Sequence, residues 1–192
     1  MNQAIVADGT SIDVPCGIWQ IDPAHSVVGF SVRHLMSKVR GTFDDFTGQI
    51  TIDEDRVESS VRVEIAMASV NTGNEMRDND LRSSNFFGIE QHPVMTYVST
   101  ALNESGGSWT LDGDLTIRGI TRSVRIAVAF LGYEPTGLQG EPRIGIEGTT
   151  LINRSDFGVD FGLADSGKVV VGDKIDISLE IEAFLTDTAG EH

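Results

Sequence analysis

Between residues 168 and 186 the chain alternates strictly. Ile175, Ile177, Leu179 and Ile181 hold one phase, and Lys174, Asp176, Ser178, Glu180 and Glu182 hold the other. Neighbouring side chains of a strand point to opposite faces, so this period of two predicts a long β-strand with one dry and one wet face. The pattern recurs. Across 25–34, Val28, Phe30 and Val32 oppose Val27, Gly29, Ser31 and Arg33; across 60–67, Val61, Val63, Ile65 and Met67 oppose Arg62 and Glu64. Segments 17–21, 94–103, 108–118, 121–131 and 144–152 read as further strands, with Gly106-Gly107 and Gly119 at turns. Residues 39–53 are too long for one regular strand. Phe43 and Phe46 fall out of phase there, which predicts a bulge at Asp44-Asp45.

The period changes over 71–84, NTGNEMRDNDLRSS. This stretch is polar, opens on an Asn-Thr-Gly capping segment, and spaces Met76, Asn79, Asp80 and Leu81 as a helix would. A short helix is expected, then a turn around Phe86-Phe87, and His92-Pro93 restarts the sheet. Residues 137–142 form a loop, and 153–167 form a glycine-punctuated loop with room for a helical turn. The sum is about eight strands with a helix-bearing crossover after the first four. Antiparallel strands that are apolar on one side face a common interior. Short turns and a regular period favour a closed up-and-down barrel over a sandwich. At about eight strands such a barrel either fills its interior with side chains or holds one ligand, and periodicity alone leaves both open.

The length of 192 residues suits one domain over 17–186, with a polar lead-in over 1–16 and a frayed polar tail over 187–192. Acidic residues outnumber basic ones 29 to 14, for a formal charge of -15. That balance argues against nucleic acid or an anionic membrane surface as a partner. Cys16 is the single cysteine, so no intramolecular disulfide framework is implied. The first 17 residues lack a basic start and an apolar run of signal-peptide length, and no stretch approaches the ~20 apolar residues that span a bilayer. A cytoplasmic protein without stable membrane insertion is expected.

Candidate chemistry is sparse. His25, His34, His92 and His192 have no metal-ligand spacing, and His25 and His34 sit on opposite faces of one predicted strand, so no metal or cofactor is expected. Arg33-His34 beside Asp22 or Asp44 could make an acid–base pair, although a hydrogen-bonded rim cluster is the more ordinary reading. Glu75, Asp78 and Asp80 share the predicted helix with Arg77 and Arg82, as a solvated face would. No nucleophile elbow or phosphate-binding glycine loop is present, so no catalytic residue is expected. What remains is apolar. Phe30, Phe43, Phe46, Trp109, Leu111, Leu115, Ile117, Val128 and Phe130 share the inward phase, while Gly29, Gly41, Gly48, Gly113 and Gly148 make room within strands. These residues form a core, or the wall of a tunnel for a long apolar guest.

Five ordered segments carry a resemblance over residues 17–186: WQIDPAHSVVGFSVRH (19–34), GTFDDFTGQI (41–50), SVNTGNEMRDNDLRSSNFFGIEQHP (69–93), LDGDLTIRGITRSV (111–124) and NRSDFGV (153–159). Together they resemble the YceI-like family of lipid- and polyisoprenoid-binding barrels. The resemblance implies an all-β fold: an eight-stranded antiparallel lipocalin-like barrel with a short helical crossover, around a long apolar cavity. It implies non-catalytic binding, storage or transport of an isoprenoid-type lipid, such as a polyisoprenoid or isoprenoid quinone, and a homodimer. Many members carry an export signal and act in the periplasm, a pattern from which this chain departs. On this reading the cavity is lined by Phe30, Val32, Phe43, Phe46, Tyr97, Trp109, Leu115, Ile117, Val128, Phe130, Phe157 and Phe161. Phe86 and Phe87, adjacent in an irregular segment, would both point inward as a lid. His25, Arg33, His34, Arg77, Arg82 and Asp156 are the head-group candidates at the mouth, with Arg82 and Asp156 equally suited to tying a loop to the barrel. Two other readings stand beside the carrier: an enzyme acting on such a lipid through His34 or His25, and a dry-cored barrel whose partner is a protein.

Overall fold

The alternating segments become strands, but three of the eight strand positions are each built from two collinear pieces. The computed structural model describes residues 5–7, 10–137, 139–160 and 171–188. A small hairpin, β1 (Ile5–Ala7) with β2 (Thr10–Ile12), precedes the barrel. The first position holds β3 (Gly17–Ile21) and β4 (Val27–His34), the second β5 (Ser37–Phe43) and β6 (Phe46–Ile52), and the third β7 (Ser60–Ala66) and β8 (Val70–Asn71). Helix α1 (Glu75–Arg82) crosses to five continuous strands: β9 (Val94–Ser105), β10 (Ser108–Ile117), β11 (Ile120–Glu134), β12 (Arg143–Asn153) and β13 (Val171–Thr188). The barrel is antiparallel throughout and closes because β13 pairs with β12 on one side and with both β3 and β4 on the other.

Each split has a local cause. Proline has no N–H for a ladder, so Pro23 starts a single 3-10 turn, Pro23–His25, capped by the Asp22 carboxylate on the Ala24 N–H. The Asp22 N–H still bonds Glu182 O at 2.9 Å, so the chain kinks outward and rejoins the same partner strand. Residues 17–21 and 25–34, expected as two strands, therefore fill one position, and the helix follows the third position rather than four strands. The bulge expected at Asp44-Asp45 is a full interruption, where Asp44 N–H bonds Ser69 O and Asp45 O accepts from Ala66 N–H. It lets Phe43 and Phe46 both face inward.

Strand pairing continues on both sides of residues 17–186. The lead-in contains the β1–β2 hairpin, and Val14 is fully buried. At the other end Asp187 and Thr188 belong to β13, paired with Ile18 and Gly17. Gly17 has φ +144°, and a Cβ there would lie 2.1 Å from Asp187 O, so only glycine suits this approach of two backbones. Helix α1 is shorter than 71–84 and is capped by Asn74, whose side chain accepts from the Arg77 N–H at 3.0 Å. Asp78, expected on a solvated face, is buried instead and accepts from the Thr72 N–H at 3.0 Å and hydroxyl at 2.5 Å.

The barrel is plugged at the end where the β6–β7 and β9–β10 turns lie. Trp19, Val14 and Ala183 are completely buried there and Ile144 nearly so; the Trp19 indole N–H bonds Pro15 O at 3.2 Å. At the opposite, upper end lie α1 with its following loop, the β4–β5 and β10–β11 turns, and a 3-10 turn, Arg154–Phe157.

Candidate functional site

Above the plug, the inward residues of β13 become incompletely buried. Ala183 is sealed, whereas Ile181, Leu179, Ile177 and Ile175 are each only partly covered. They face a cavity of about 330 Å³ (the space that the centres of water-sized molecules can reach). Of the aromatic and aliphatic residues expected at the wall, Phe30, Val32, Phe43 and Phe46 reach it from the first two strand positions. Tyr97, Trp109, Leu115, Ile117, Val128 and Phe130 reach it from β9, β10 and β11, and Phe157 closes it from its 3-10 turn. Phe161 lies outside the described residues.

Phe86 and Phe87 both line the cavity from the loop after α1, whose backbone is held by Phe86 N–H to Ser83 O at 3.1 Å and Phe87 N–H to Leu81 O at 3.0 Å. An aromatic row links this loop to the wall: Phe87 to Phe43 at 6.1 Å between ring centroids, and Phe43 to Phe30 at 5.5 Å. The strand glycines divide by role. A Cβ on Gly41 would meet Phe30 Cζ at 2.5 Å, and one on Gly48 would meet Ile21 Cδ1 at 2.6 Å, so these two admit neighbouring side chains. Gly148 lines the cavity itself.

The wall also holds two arginines that sequence reasoning did not single out. Arg56, at the plugged end, is 2% exposed and donates to Val14 O at 2.7 Å, Asp53 O at 2.9 Å and the Cys16 sulfur at 3.6 Å. Arg154, at the upper end, donates to Gly172 O at 2.9 Å, Val171 O at 3.2 Å and Val159 O. Each guanidinium donates to backbone carbonyls, those of non-sheet residues for Arg56 and those of Val159 and the start of β13 for Arg154, which is the condition for keeping a guanidinium beside an apolar space. The signal for Arg56 is weak, since it sits in the polar run Asp53-Glu54-Asp55-Arg56.

The polar candidates are not brought together. His25 lies in the Pro23–His25 turn on the outer wall, not at the mouth, with Nδ1 2.8 Å from an Asp22 carboxylate oxygen. Asp22 also accepts from Arg143 at 2.8 Å, and Arg143 donates to Glu141 at 2.7 Å and Glu182 at 2.5 Å. Asp22, His25 and Glu182 are close enough to share a cation, and the Arg143 guanidinium already supplies one to both carboxylates. The hydrogen bond from Arg143 is the main reason the Asp22 carboxyl is held at about 2, despite the opposing effect of burial.

Arg33 and His34 do not pair with Asp22 or Asp44. Asp44 accepts from Thr42 at 2.6 Å and Asn71 at 2.8 Å instead, while His34 ends β4 at the upper rim and Arg33 points outward. Arg77 donates to the Thr72 hydroxyl at 2.7 Å and carbonyl at 2.9 Å; Arg82 donates to Ala68 O and Val70 O, both at 2.8 Å. Both arginines fasten the helix to residues 68–72, the segment that leads into it. Asp156 is exposed and accepts from Asn153 at 3.1 Å.

A closed eight-position antiparallel barrel around an apolar internal cavity, bridged by one helix, is a lipocalin-like barrel. The chain belongs to the YceI-like family, whose domain model matches residues 19–183. A UPF0312 protein of Staphylococcus aureus is 35% identical over 169 residues, covering 86% of this chain and 96% of the relative. A UPF0312 protein of Staphylococcus epidermidis is 35% identical over 167 residues, covering 85% and 95%. Among solved structures, BcnA of Burkholderia cenocepacia superposes with a TM-score of 0.75 at 25% identity, covering 84% of this chain and 98% of that one. The YCEI protein of Campylobacter jejuni gives 0.69 at 30% identity, covering 81% and 90%. The same fold occurs in a polyisoprenoid binding domain from Saccharophagus degradans, with a TM-score of 0.64 at 15% identity over 89% and 99% of the two chains. Among the described residues no helix is long and apolar enough to cross a membrane.

Proposed function

We propose that this barrel binds and carries, without covalent chemistry, one long apolar lipid of the isoprenoid type. The observation that carries this reading is the cavity above the Trp19 plug, walled by aliphatic and aromatic side chains from every strand position. An isoprenoid tail offers no hydrogen bonds, so its affinity comes from apolar burial at about 25 cal/mol per Å². A few hundred Å² of contact outweighs the cost of ordering the chain by several kcal/mol. Selectivity for tail length is then modest, since one methylene changes binding by about 1 to 3 kcal/mol. The family membership and the polyisoprenoid binding domain of the same fold support the ligand class.

The competing reading, an enzyme acting on such a lipid, needs a base open to the cavity. His25 is bonded to Asp22 on the outer wall, and the two wall arginines donate to carbonyls of their own chain. His34 at the rim is the remaining histidine candidate, and turnover abolished by His34→Gln would favour catalysis.

Native mass spectrometry of freshly purified protein, followed by organic extraction, tests the proposal. A one-to-one apolar adduct of isoprenoid mass is expected. A clean apo mass that takes up no added polyprenol or isoprenoid quinone would overturn the carrier reading in favour of a dry-cored barrel with a protein partner.

A further inference from the structure

The β4–β5 hairpin combines a run of cations with an exposed apolar turn. Residues 31–43 hold Arg33, His34, Lys38 and Arg40 and not one acid, in a chain with 29 acidic residues and a charge of -15. The register sets Arg33 opposite Lys38 and Ser31 opposite Arg40, so the three cations share the outer face of the hairpin. Lys38 is paired with Asp176 at 2.9 Å; Arg33 and Arg40 have no hydrogen-bond or ion-pair partner among the described residues. The turn itself is apolar. Leu35 and Met36 join His34 to Ser37 with 50% and 97% of their surfaces exposed, and Leu35 holds φ at +50°. A positive φ at the first central position of a two-residue turn favours glycine, so local backbone preference does not account for leucine there.

The tip stands beside the upper end of the cavity. Val32, two residues before the end of β4, and Val171, opposite His34, both line it. We propose that this hairpin docks the barrel onto an anionic bilayer, with Leu35 and Met36 entering the interfacial layer and Arg33 and Arg40 contacting lipid phosphates. Amphipathic elements bind membrane surfaces in this manner, by apolar burial together with attraction to anionic headgroups. The overall negative charge does not forbid it: charges are screened over about 8 Å at physiological ionic strength, so the local field at the tip decides contact. The inference rests on the lipid-carrier reading only for its purpose, since docking beside the cavity opens a short path for an apolar lipid between bilayer and barrel.

Flotation of the full chain with vesicles of phosphatidylcholine alone, or with added phosphatidylglycerol, tests it. Binding is expected to need phosphatidylglycerol and to weaken as salt rises. Leu35→Gly with Met36→Asn places a favoured hairpin pair in the turn, so folding is kept while binding falls by at least about tenfold. Arg33→Gln with Arg40→Gln should weaken binding by about fivefold per charge and erase the preference for phosphatidylglycerol. Absence of vesicle binding, or binding unchanged by both pairs of substitutions, would overturn the inference. So would a loss of self-association in the Leu35→Gly, Met36→Asn protein without any effect on vesicles, which would make a second copy the occupant of the tip. Native mass spectra of the same proteins separate the two ideas: an apolar adduct that persists while docking fails sinks the docking alone, whereas a missing adduct with intact docking sinks the carrier.

Discussion

The ring of Tyr97 on β9 lies against the backbone of Gly113 on β10, and its hydroxyl donates to Leu111 O at 3.1 Å. A Cβ at position 113 would sit 2.5 Å from Tyr97 Cζ and 2.7 Å from Val98 O, beside the register shift at Asp112/Gly113. Burial pushes the Tyr97 phenol well above its ordinary pKa, with Asp112 and Asp114 adding to the shift, so it stays a neutral donor. Gly113→Ala should therefore destabilise the barrel by about 1 to 3 kcal/mol in chemical denaturation. In a Tyr97→Ala background that penalty should shrink without vanishing, because the Val98 carbonyl remains in the way. A neutral Gly113→Ala would show that the strand can simply shift.

The clasp of Asp22 on Arg143 has a signature in acid. The Asp22 carboxyl lies at about 2 in the fold against 3.8 ordinarily, chiefly through the Arg143 hydrogen bond. A depressed carboxyl pKa adds stability that is complete above 3.8 and is lost as pH falls towards 2. Asp22→Asn should thus cost about 1 to 2 kcal/mol at neutral pH, with the difference from the parent closing across that window. Denaturation midpoints followed from pH 5 to pH 2 would reveal it; a gap that stays constant with pH would mean the clasp acts by packing alone.

The barrel was legible because its strands are amphipathic over many residues. The alternation around Ile175 to Ile181 identified β13 and its inward face, and the phases of Phe30, Trp109 and Phe130 turned them inward while leaving core and cavity wall equally open. Phe43 and Phe46 signalled a break, because two inward aromatics three residues apart cannot lie on one regular strand. The sharing of one position by β3 and β4 was not legible. Asp22-Pro23 is the same stop signal whether the chain turns back or kinks and continues, and only pairing with β13, some 160 residues later, distinguishes the two. Arg56 and Arg154 were hidden for a related reason. Their burial depends on carbonyls of Val14, Asp53, Val171 and Gly172, which no local pattern assigns. His25 was misplaced with them, because its position depends on the same kink.

Phe87 offers the clearest test of the loop over the cavity. It packs on Phe43 and is only partly buried, whereas Phe86 is buried to 9% exposure, so truncating Phe86 would cost fold stability as well. Phe87→Ala should leave the melting temperature nearly unchanged and speed release of a bound lipid by about tenfold, the effect of removing roughly 1.4 kcal/mol of contact. Transfer of a fluorescent polyene lipid from the loaded barrel to acceptor vesicles reads the rate. An unchanged rate would mean that lipid leaves by another route and that the loop is only a wall.

Filling the cavity should abolish binding while sparing the barrel. Ile177 points inward from the middle of β13, pairs with Phe30 on one side and Thr150 on the other, and is partly uncovered because its side chain meets the open space. Overpacking normally destabilises by about 1 to 3 kcal/mol because displaced atoms have nowhere to go. A cavity of about 330 Å³ removes that constraint, so the larger ring of Ile177→Trp can occupy space that is already there. The expected outcome is a melting temperature at or above that of the lipid-free parent, together with at least a tenfold loss in retained isoprenoid by extraction. A control in the plug, Ala183→Trp, lacks such space, since Ala183 is fully buried and does not line the cavity, and should destabilise the fold outright. If Ile177→Trp were as damaging as Ala183→Trp, the middle of the barrel would be as closely packed as its base. Lipid would then have to bind somewhere other than the interior.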